Sequence, residues 1–175
     1  LGVVTAVGGG MIRDIVLGIL PPTVFLNSKY ALAAVITSCL VFFAYYMKKM
    51  EPGQHSSQAF ERILLIMDSI GLGIFTVMGV NTGIRQGYGS NVFLLVFVGT
   101  ITGVGGGLLR DMMAGVPPYI FVRHIYACAS IVGAIVCVWM QQFGAVWAMV
   151  MGSCVVVLIR YLAAHYRWNL PKLPR

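Results

Sequence analysis

The sequence predicts an all-α integral membrane protein, built as an inverted repeat of three-helix units followed by a final helix. The composition is 59% hydrophobic and 10% charged, and the mean hydropathy is +0.88, which is typical of membrane proteins. The second observation is a repeated motif: TAVGGGMIRD at residues 5–14 returns 97 residues later as TGVGGGLLRD at residues 102–111. A likeness of this length indicates an internal duplication.

Apolar runs divide the chain into predicted membrane spans. A helix that crosses a bilayer needs about 20 mostly apolar residues. Six runs of about this length are visible, at residues 1–20, 30–47, 63–84, 92–114, 125–140 and 143–162. Polar or proline-containing segments separate them, and the longest is predicted to be a loop at residues 51–62.

The positions of the two motif copies predict the topology. The copies lie on the first and the fourth visible span, so three crossings separate them and the second copy runs through the bilayer in the opposite direction. Such halves are related by a pseudo-two-fold axis in the membrane plane. The predicted division is a first repeat at 1–50, a cytoplasmic loop at 51–62, a second repeat at 63–142, a final transmembrane helix at 143–166 and a cytoplasmic tail at 167–175. One helix precedes the motif helix in the second repeat, so by symmetry we expect a further helix before Leu1 and seven spans in the full-length protein.

The charge distribution predicts the orientation. The net charge is +7, and the basic residues collect on one side of the spans, at Lys48, Lys49, Arg62, Arg123, Arg160, Arg167, Lys172 and Arg175. Lys29 and Arg85 lie on the other side. The positive-inside rule therefore predicts a multi-pass membrane protein with a cytoplasmic C-terminus. A nucleic-acid partner is not expected, because it needs a basic face on a soluble module.

The glycine triplets are the first candidate functional feature. They comprise Gly8, Gly9 and Gly10 in the first copy and Gly105, Gly106 and Gly107 in the second. Each glycine costs a helix about 1 kcal/mol relative to alanine. We therefore expect both helices to break there and to present carbonyl groups to a cation and N–H groups to an anion. The alternative is close contact between two unbroken helices.

Ionisable residues inside the apolar spans are the second feature, because they must pair or face water. They are Arg13, Asp14, Arg110, Asp111 and Asp68. Neighbours on a helix point about 100° apart, so we expect Arg13 to pair with Asp111 or a backbone carbonyl rather than with Asp14. These pairs could instead only tie the two halves together. Asp68 could face the same aqueous path or make a polar contact near the interface.

Hydroxyl groups could add oxygen ligands to such a path. The candidates are Thr5, Thr102, Tyr30 and Tyr126. Cys39, Cys128, Cys137 and Cys154 lie in apolar runs without C-x-x-C spacing, so we expect small buried apolar residues. No metal site and no cofactor are predicted.

A Gly-Gly-x-x-Arg-Asp run also opens the catalytic domain of template-independent nucleotidyltransferases, where a carboxylate pair follows to bind metal. Here the residues that follow include Pro21, Pro22 and Phe25, without a carboxylate pair. Metal-assisted phosphoryl transfer needs those carboxylates, so we predict no enzymatic activity and no catalytic residue.

The doubled Gly-Gly-Gly-x-x-Arg-Asp motif, with its trailing proline and phenylalanine, resembles the bacterial relatives of the trimeric intracellular cation (TRIC) channels, whose domain is also labelled glycine transporter. The resemblance covers essentially the whole chain. It implies a protein of the bacterial inner membrane with a seven-helix protomer and a homotrimer. Each protomer would have its own pore where the two glycine-broken helices meet, conducting K⁺ and, less well, Na⁺. Gly8 to Gly10 and Gly105 to Gly107 would be kinks beside that pore.

Two functions remain open from the sequence. The first is a K⁺-preferring monovalent cation channel, in which carbonyl groups replace part of the hydration shell of the ion. The second is a carrier for glycine or another small zwitterion, since Arg would suit its carboxylate and Asp its ammonium group. A membrane scaffold without transport is a third possibility. The expected partners are membrane lipid and further copies of the chain, with no soluble partner.

Overall fold

The computed structural model describes residues 1–26, 28–47, 58–118, 120 and 125–166. Within these ranges the regular structure is helical and contains no strand. The α-helices are α1 (Gly2–Val16), α2 (Thr23–Leu26), α3 (Ser28–Met47), α4 (Gln58–Gly83), α5 (Val92–Met113), α6 (Ile125–Met140) and α7 (Ala145–His165). A π-helical turn at Ile84–Tyr88 extends α4, and a 3₁₀ turn at Gln141–Phe143 joins α6 to α7.

All six predicted spans are helical, and the prediction of an all-α membrane fold is confirmed. Four helical segments are long and apolar enough to cross a membrane, namely Leu65–Tyr88, Val92–Met113, Ile125–Phe143 and Ala145–His165. The helix α1 has 15 residues, and the described apolar part of α3 is the shorter segment Ala31–Phe43. Helix α4 begins at Gln58, so residues 58–62 of the predicted loop belong to a helix, and residues 48–57 lie outside the described ranges.

The two motif helices end in the same way. Gly18 has φ +72° after α1, and Gly115 has φ +66° after α5. The N–H of Ile19 donates to the carbonyl of Asp14 at 2.8 Å, and the N–H of Val116 donates to that of Asp111 at 3.1 Å. This is a glycine C-cap, in which only a residue without Cβ adopts the left-handed conformation at little cost. The cap explains why α1 ends at Val16, four residues before the predicted end of the span.

Helices α4 to α7 form a bundle, and α1 packs along α5 at its side. The core between the bundle helices contains Val80, Leu95 and Cys137 in one cluster and Leu72 and Val156 in another. Small residues allow close approach of the helices, as at Gly152, where a side chain would meet Cys137 and Val77. Among the described elements, α3 contacts only α1 and α2.

The cysteine prediction is correct at one position of four. Cys137 is buried, whereas Cys39, Cys128 and Cys154 are exposed on the helix surfaces. A thiol behaves as a small apolar group, so an apolar run does not distinguish a core position from one that faces lipid.

Candidate functional site

The glycine triplets form the crossing between α1 and α5. A side chain at Gly9 would overlap the carbonyl oxygen of Thr102, and a side chain at Gly106 would overlap that of Thr5. A Cβ atom at Gly105 would lie 3.2 Å from the Cα atom of Gly9. The two backbones therefore touch, and glycine is required because any Cβ atom would push them apart.

These contacts obey the predicted pseudo-two-fold symmetry. The contact between Gly9 and Thr102 becomes the contact between Gly106 and Thr5 when each residue is exchanged for its counterpart 97 positions away. Residues early in α1 lie against residues late in the motif of α5, so the two helices run antiparallel. The pseudo-two-fold axis therefore passes through this crossing, as an inverted repeat requires.

The predicted helix break at the glycines is wrong. Helix α1 is continuous from Gly2 to Val16 and includes Gly8 to Gly10. Helix α5 is continuous from Val92 to Met113 and includes Gly105 to Gly107. Backbone contact between the helices compensates for the low helix propensity of glycine. The alternative of close contact between unbroken helices describes the structure.

The predicted crosswise pairing of Arg13 with Asp111 is also wrong. Arg13 Nη2 lies 2.7 Å from Asp14 Oδ1, and Arg110 Nε lies 2.8 Å from Asp111 Oδ1. The long arginine side chain folds back to its own neighbour, although the two Cβ atoms diverge. Each charge is thereby neutralised within its own helix, at opposite ends of the crossing.

Asp14 is held by more than its arginine. The Thr23 N–H donates to Asp14 Oδ2 at 2.7 Å, and the Thr23 hydroxyl donates to the same oxygen at 2.6 Å. Arg13 Nη2 also donates to the Thr23 hydroxyl oxygen at 3.3 Å. Asp14 is 1% exposed. This network ties α2 to the end of α1, and sequence reasoning had not assigned Thr23 any role.

Asp68 belongs to a second charged cluster. Arg160 Nη2 donates to Asp68 Oδ2 at 2.8 Å, and the Tyr126 hydroxyl donates to Asp68 Oδ1 at 3.2 Å. The Arg160 guanidinium also lies 4.6 Å from the centre of the Tyr126 ring, a cation–π contact. Asp68 also lies close enough to Arg110 for an electrostatic interaction, so this cluster is near the second Arg–Asp pair.

Arg160 was expected among the basic residues of the cytoplasmic side, but it is 4% exposed within α7. The sequence indicated this burial, because Arg160 lies inside the predicted span 143–162, and an ionisable group within a span needs a partner.

The hydroxyl groups of the two predicted threonine ligands donate hydrogen bonds to backbone carbonyls four residues earlier in the chain. The Thr5 hydroxyl donates to the Leu1 carbonyl at 3.1 Å, and the Thr102 hydroxyl donates to the Val98 carbonyl at 2.6 Å. Tyr126 contacts Asp68, as described above. The side chain of Tyr30 lies outside the described residues.

The two charged clusters lie at opposite ends of the crossing, because α1 and α5 are antiparallel. Beside the Arg13 end is a cavity of about 460 Å³, lined by residues of α1, α2, α4, the π-helical turn and Thr102 of α5. Its lining includes Val7, Arg13, Thr23, Phe75, Thr82 and Arg85. Groups of three or more metal-ligating side chains are absent from the described part of the chain.

A family model described as "Glycine transporter" matches residues 1–46 and 65–142, which include both motif copies. This chain belongs to the glycine transporter family. The chain is similar to the UPF0126 inner membrane protein YadS of Escherichia coli. The two are 37% identical, over 99% of this chain and 79% of that protein. A UPF0126 membrane protein of Deinococcus radiodurans is 35% identical over 98% of this chain and 76% of its own length.

Solved structures share the fold of this glycine transporter family member. A structure described as the structural basis for conductance through TRIC cation channels superposes with a TM-score of 0.82 at 31% identity, over 99% of this chain and 81% of that one. The TRIC trimeric intracellular cation channel orthologue from Rhodobacter sphaeroides superposes with a TM-score of 0.80 at 32% identity, over 94% and 80%. The resemblance to bacterial TRIC channels is confirmed.

Proposed function

We propose that this protein is a monovalent cation channel of the bacterial inner membrane that works as a homotrimer, with one ion path in each protomer beside the α1–α5 crossing. Support comes from the similarity of nearly the whole chain to proteins described as TRIC cation channels. A relative described as an inner membrane protein supports the location. The homotrimer is testable by native mass spectrometry of the full-length protein, whose complex should have three times the mass of one chain.

The observation that carries the proposal is the local neutralisation of both arginines at the crossing. An unpaired Arg at about 7 Å from a passing cation would repel it by about 2 kcal/mol at an effective dielectric constant of about 20. This corresponds to roughly a 30-fold loss of ion occupancy. Asp14 and Asp111 cancel most of this repulsion, because each lies within 3 Å of its Arg, at 2.7 and 2.8 Å.

The ion remains largely hydrated in the proposed path. Because α1 and α5 are unbroken, their carbonyl groups stay in helical hydrogen bonds and do not replace the hydration shell. We expect a modest preference for K⁺ over Na⁺, since K⁺ holds its hydration water less strongly. The ratio is measured from reversal potentials under bi-ionic conditions, and a ratio below one would contradict this part of the proposal.

The test is a pair of matched variants in a reconstituted bilayer. Asp14→Asn exposes the charge of Arg13 and should lower single-channel cation conductance about tenfold or more. The double variant Arg13→Gln/Asp14→Asn removes both charges and should recover most of the conductance. Equal currents from wild type and Asp14→Asn, with both variants eluting as folded protein, would contradict a path beside this pair.

The second arginine provides an independent repeat of this test. Arg110→Gln/Asp111→Asn is compared with Asp111→Asn alone. The Arg110 side chain is 38% exposed, against 10% for Arg13, so solvent screens its charge more. We therefore expect a smaller loss of conductance for Asp111→Asn than for Asp14→Asn.

A cytoplasmic C-terminus is part of the proposal and rests on the basic residues. Three basic residues follow residue 166, namely Arg167, Lys172 and Arg175. With a cytoplasmic C-terminus, all three lie inside the cell. A C-terminal fusion to green fluorescent protein should fluoresce, and a fusion to alkaline phosphatase should be inactive. The opposite pair of results would reverse the orientation.

A carrier for glycine or another small zwitterion is the second candidate function. One observation favours it: Arg13 and Arg85 line the 460 Å³ cavity, and none of the described lining residues is acidic. Such a cavity suits a carboxylate better than a cation. Saturable glycine uptake into proteoliposomes, competed by alanine or serine, would support the carrier. Ohmic single-channel currents without such uptake would support the channel.

A further inference from the structure

The cavity beside Arg13 has features that a cation path does not use. Its volume of about 460 Å³ falls in the range of small-molecule sites in proteins. Residues of α1, α2, α4, the π-helical turn and α5 line the cavity, so a ligand there can contact several of these elements at once.

The charge of the cavity is positive. Arg13 uses Nε and Nη2 for Asp14 and Thr23, and its Nη1 group has no hydrogen bond to the described residues. Arg85 likewise forms no ion pair within the described ranges. Asp14 is 1% exposed and already accepts hydrogen bonds from Arg13 and Thr23, so it does not neutralise a second guanidinium. One positive charge in excess remains at the cavity.

The rest of the lining is divided by polarity. Val7, Val24, Phe75 and Met78 present an apolar wall, whereas the end near Arg85 also carries Thr82 and Gln86. A ligand that fits both parts has an anionic head between the two arginines and an aliphatic portion against the apolar wall. Guanidinium groups bind carboxylate and phosphate oxygens well, because their N–H donors are fixed in a plane.

We propose that this cavity is a binding site for an anionic head group carried on an aliphatic chain. The ligand is either a small soluble aliphatic carboxylate or the head group of an anionic lipid, which share this chemistry. Arg85 and the Nη1 group of Arg13 bind the head, and the wall around Val24 binds the chain. Binding is measured without ion flux, so the inference does not depend on the channel proposal.

The test uses the purified full-length protein in nanodiscs of phosphatidylcholine, with hexanoate as the probe, followed by isothermal titration calorimetry. Hexanoate should bind saturably, and hexylamine, which has the same chain and the opposite charge, should not bind. Arg85→Gln should weaken hexanoate binding about tenfold through the loss of a charge-assisted hydrogen bond. Val24→Trp, which fills the cavity and leaves the charges unchanged, should also weaken it about tenfold or more.

Lys29→Gln is the matched control, because it removes one positive charge near the start of α3 without touching the cavity lining. Its affinity for hexanoate should stay within about twofold of wild type, since screening weakens a charge that is not in contact. Equal losses from Lys29→Gln and Arg85→Gln would overturn the site, because they would show attraction by net charge alone. Absence of hexanoate binding, or equal binding of hexylamine, would also overturn it.

A second set of nanodiscs distinguishes the two sources of the ligand. If phosphatidylglycerol in the bilayer lowers the apparent affinity for hexanoate in wild type but not in Arg85→Gln, a lipid head group occupies the site. If it has no effect while hexanoate binds, the ligand is a soluble carboxylate. Both results support the proposed chemistry.

Discussion

Adjacent glycines at the α1–α5 crossing should respond in opposite ways to the same substitution. Gly9→Ala places a methyl group against the Thr102 carbonyl, and its Cβ would also lie 3.3 Å from the Gly106 backbone nitrogen. Gly10→Ala places its Cβ 3.8 Å from Arg13 Nη2, which is ordinary van der Waals contact. The first obstacle is backbone that cannot rotate away, whereas the second position has room.

The expected magnitudes follow from two opposing terms. Overpacking of a close contact costs about 1–3 kcal/mol, and the change from glycine to alanine within a helix gains about 1 kcal/mol. Gly9→Ala should therefore destabilise the protein by up to about 2 kcal/mol, and Gly10→Ala should stabilise it by up to about 1 kcal/mol. For a chain of this size, 1 kcal/mol corresponds to roughly 2–4 °C in melting temperature.

Thermal unfolding of the purified full-length protein in detergent measures these changes. Gly106→Ala should repeat the result of Gly9→Ala, and Gly107→Ala should repeat that of Gly10→Ala, because the repeat places each pair in equivalent surroundings. Gly71→Ala on α4, which would meet nothing within 4 Å, reports the propensity gain alone. Equal damage from Gly9→Ala and Gly10→Ala would refute the reasoning, since it would show that the triplet serves backbone freedom instead of helix contact.

Three further substitutions test the polar contacts, each by the change in melting temperature. Thr23→Val removes the 2.6 Å hydroxyl bond to Asp14 and should cost about 1.5–3 kcal/mol, while Thr23→Ser should stay near wild type; equal losses would contradict a role for the hydroxyl. Asp68→Asn removes the carboxylate that Arg160 contacts at 2.8 Å and should cost about 1.5–3 kcal/mol, because solvent at the 37% exposed Asp68 weakens the pair; a smaller loss is expected when both residues are replaced by leucine, and additive losses would argue against the pair. Ser130→Ala removes the 2.6 Å bond to Thr76 between α4 and α6 and should cost about 1 kcal/mol, so an unchanged stability would show that this bond contributes nothing.

Much of the fold could be predicted from local sequence properties. The length and hydropathy of each run predicted the helices, and α6 has the predicted bounds, Ile125–Met140. The spacing of the motif copies predicted the antiparallel orientation of α1 and α5, because the first and the fourth of consecutive spans run in opposite directions. The matching caps at Gly18 and Gly115 were not predicted, because Gly18 lay inside the predicted span at 1–20.

The candidate site was less predictable, and the reason differs between its parts. Arg160 lay within an apolar span, so the need for a buried partner could have been read from its position. Its partner Asp68 lies 92 residues away, and no local pattern relates the two. The bonds of Thr23 to Asp14 depend on the turn after α1, whose path hydropathy does not describe.

The sequence by itself determined the membrane class, the six long helices and the inverted relation of the two halves, because length, hydropathy and repeat spacing are properties of the chain alone. Only the tertiary structure decided what the glycine triplets do, because a broken helix and a close helix contact need the same missing Cβ atoms. The choice depends on whether another backbone lies within contact distance, and here the Thr102 and Thr5 carbonyls do. The tertiary structure also decided the ion pairs, since the reach and rotation of an arginine side chain, and not the direction of its Cβ, determine which carboxylate it meets.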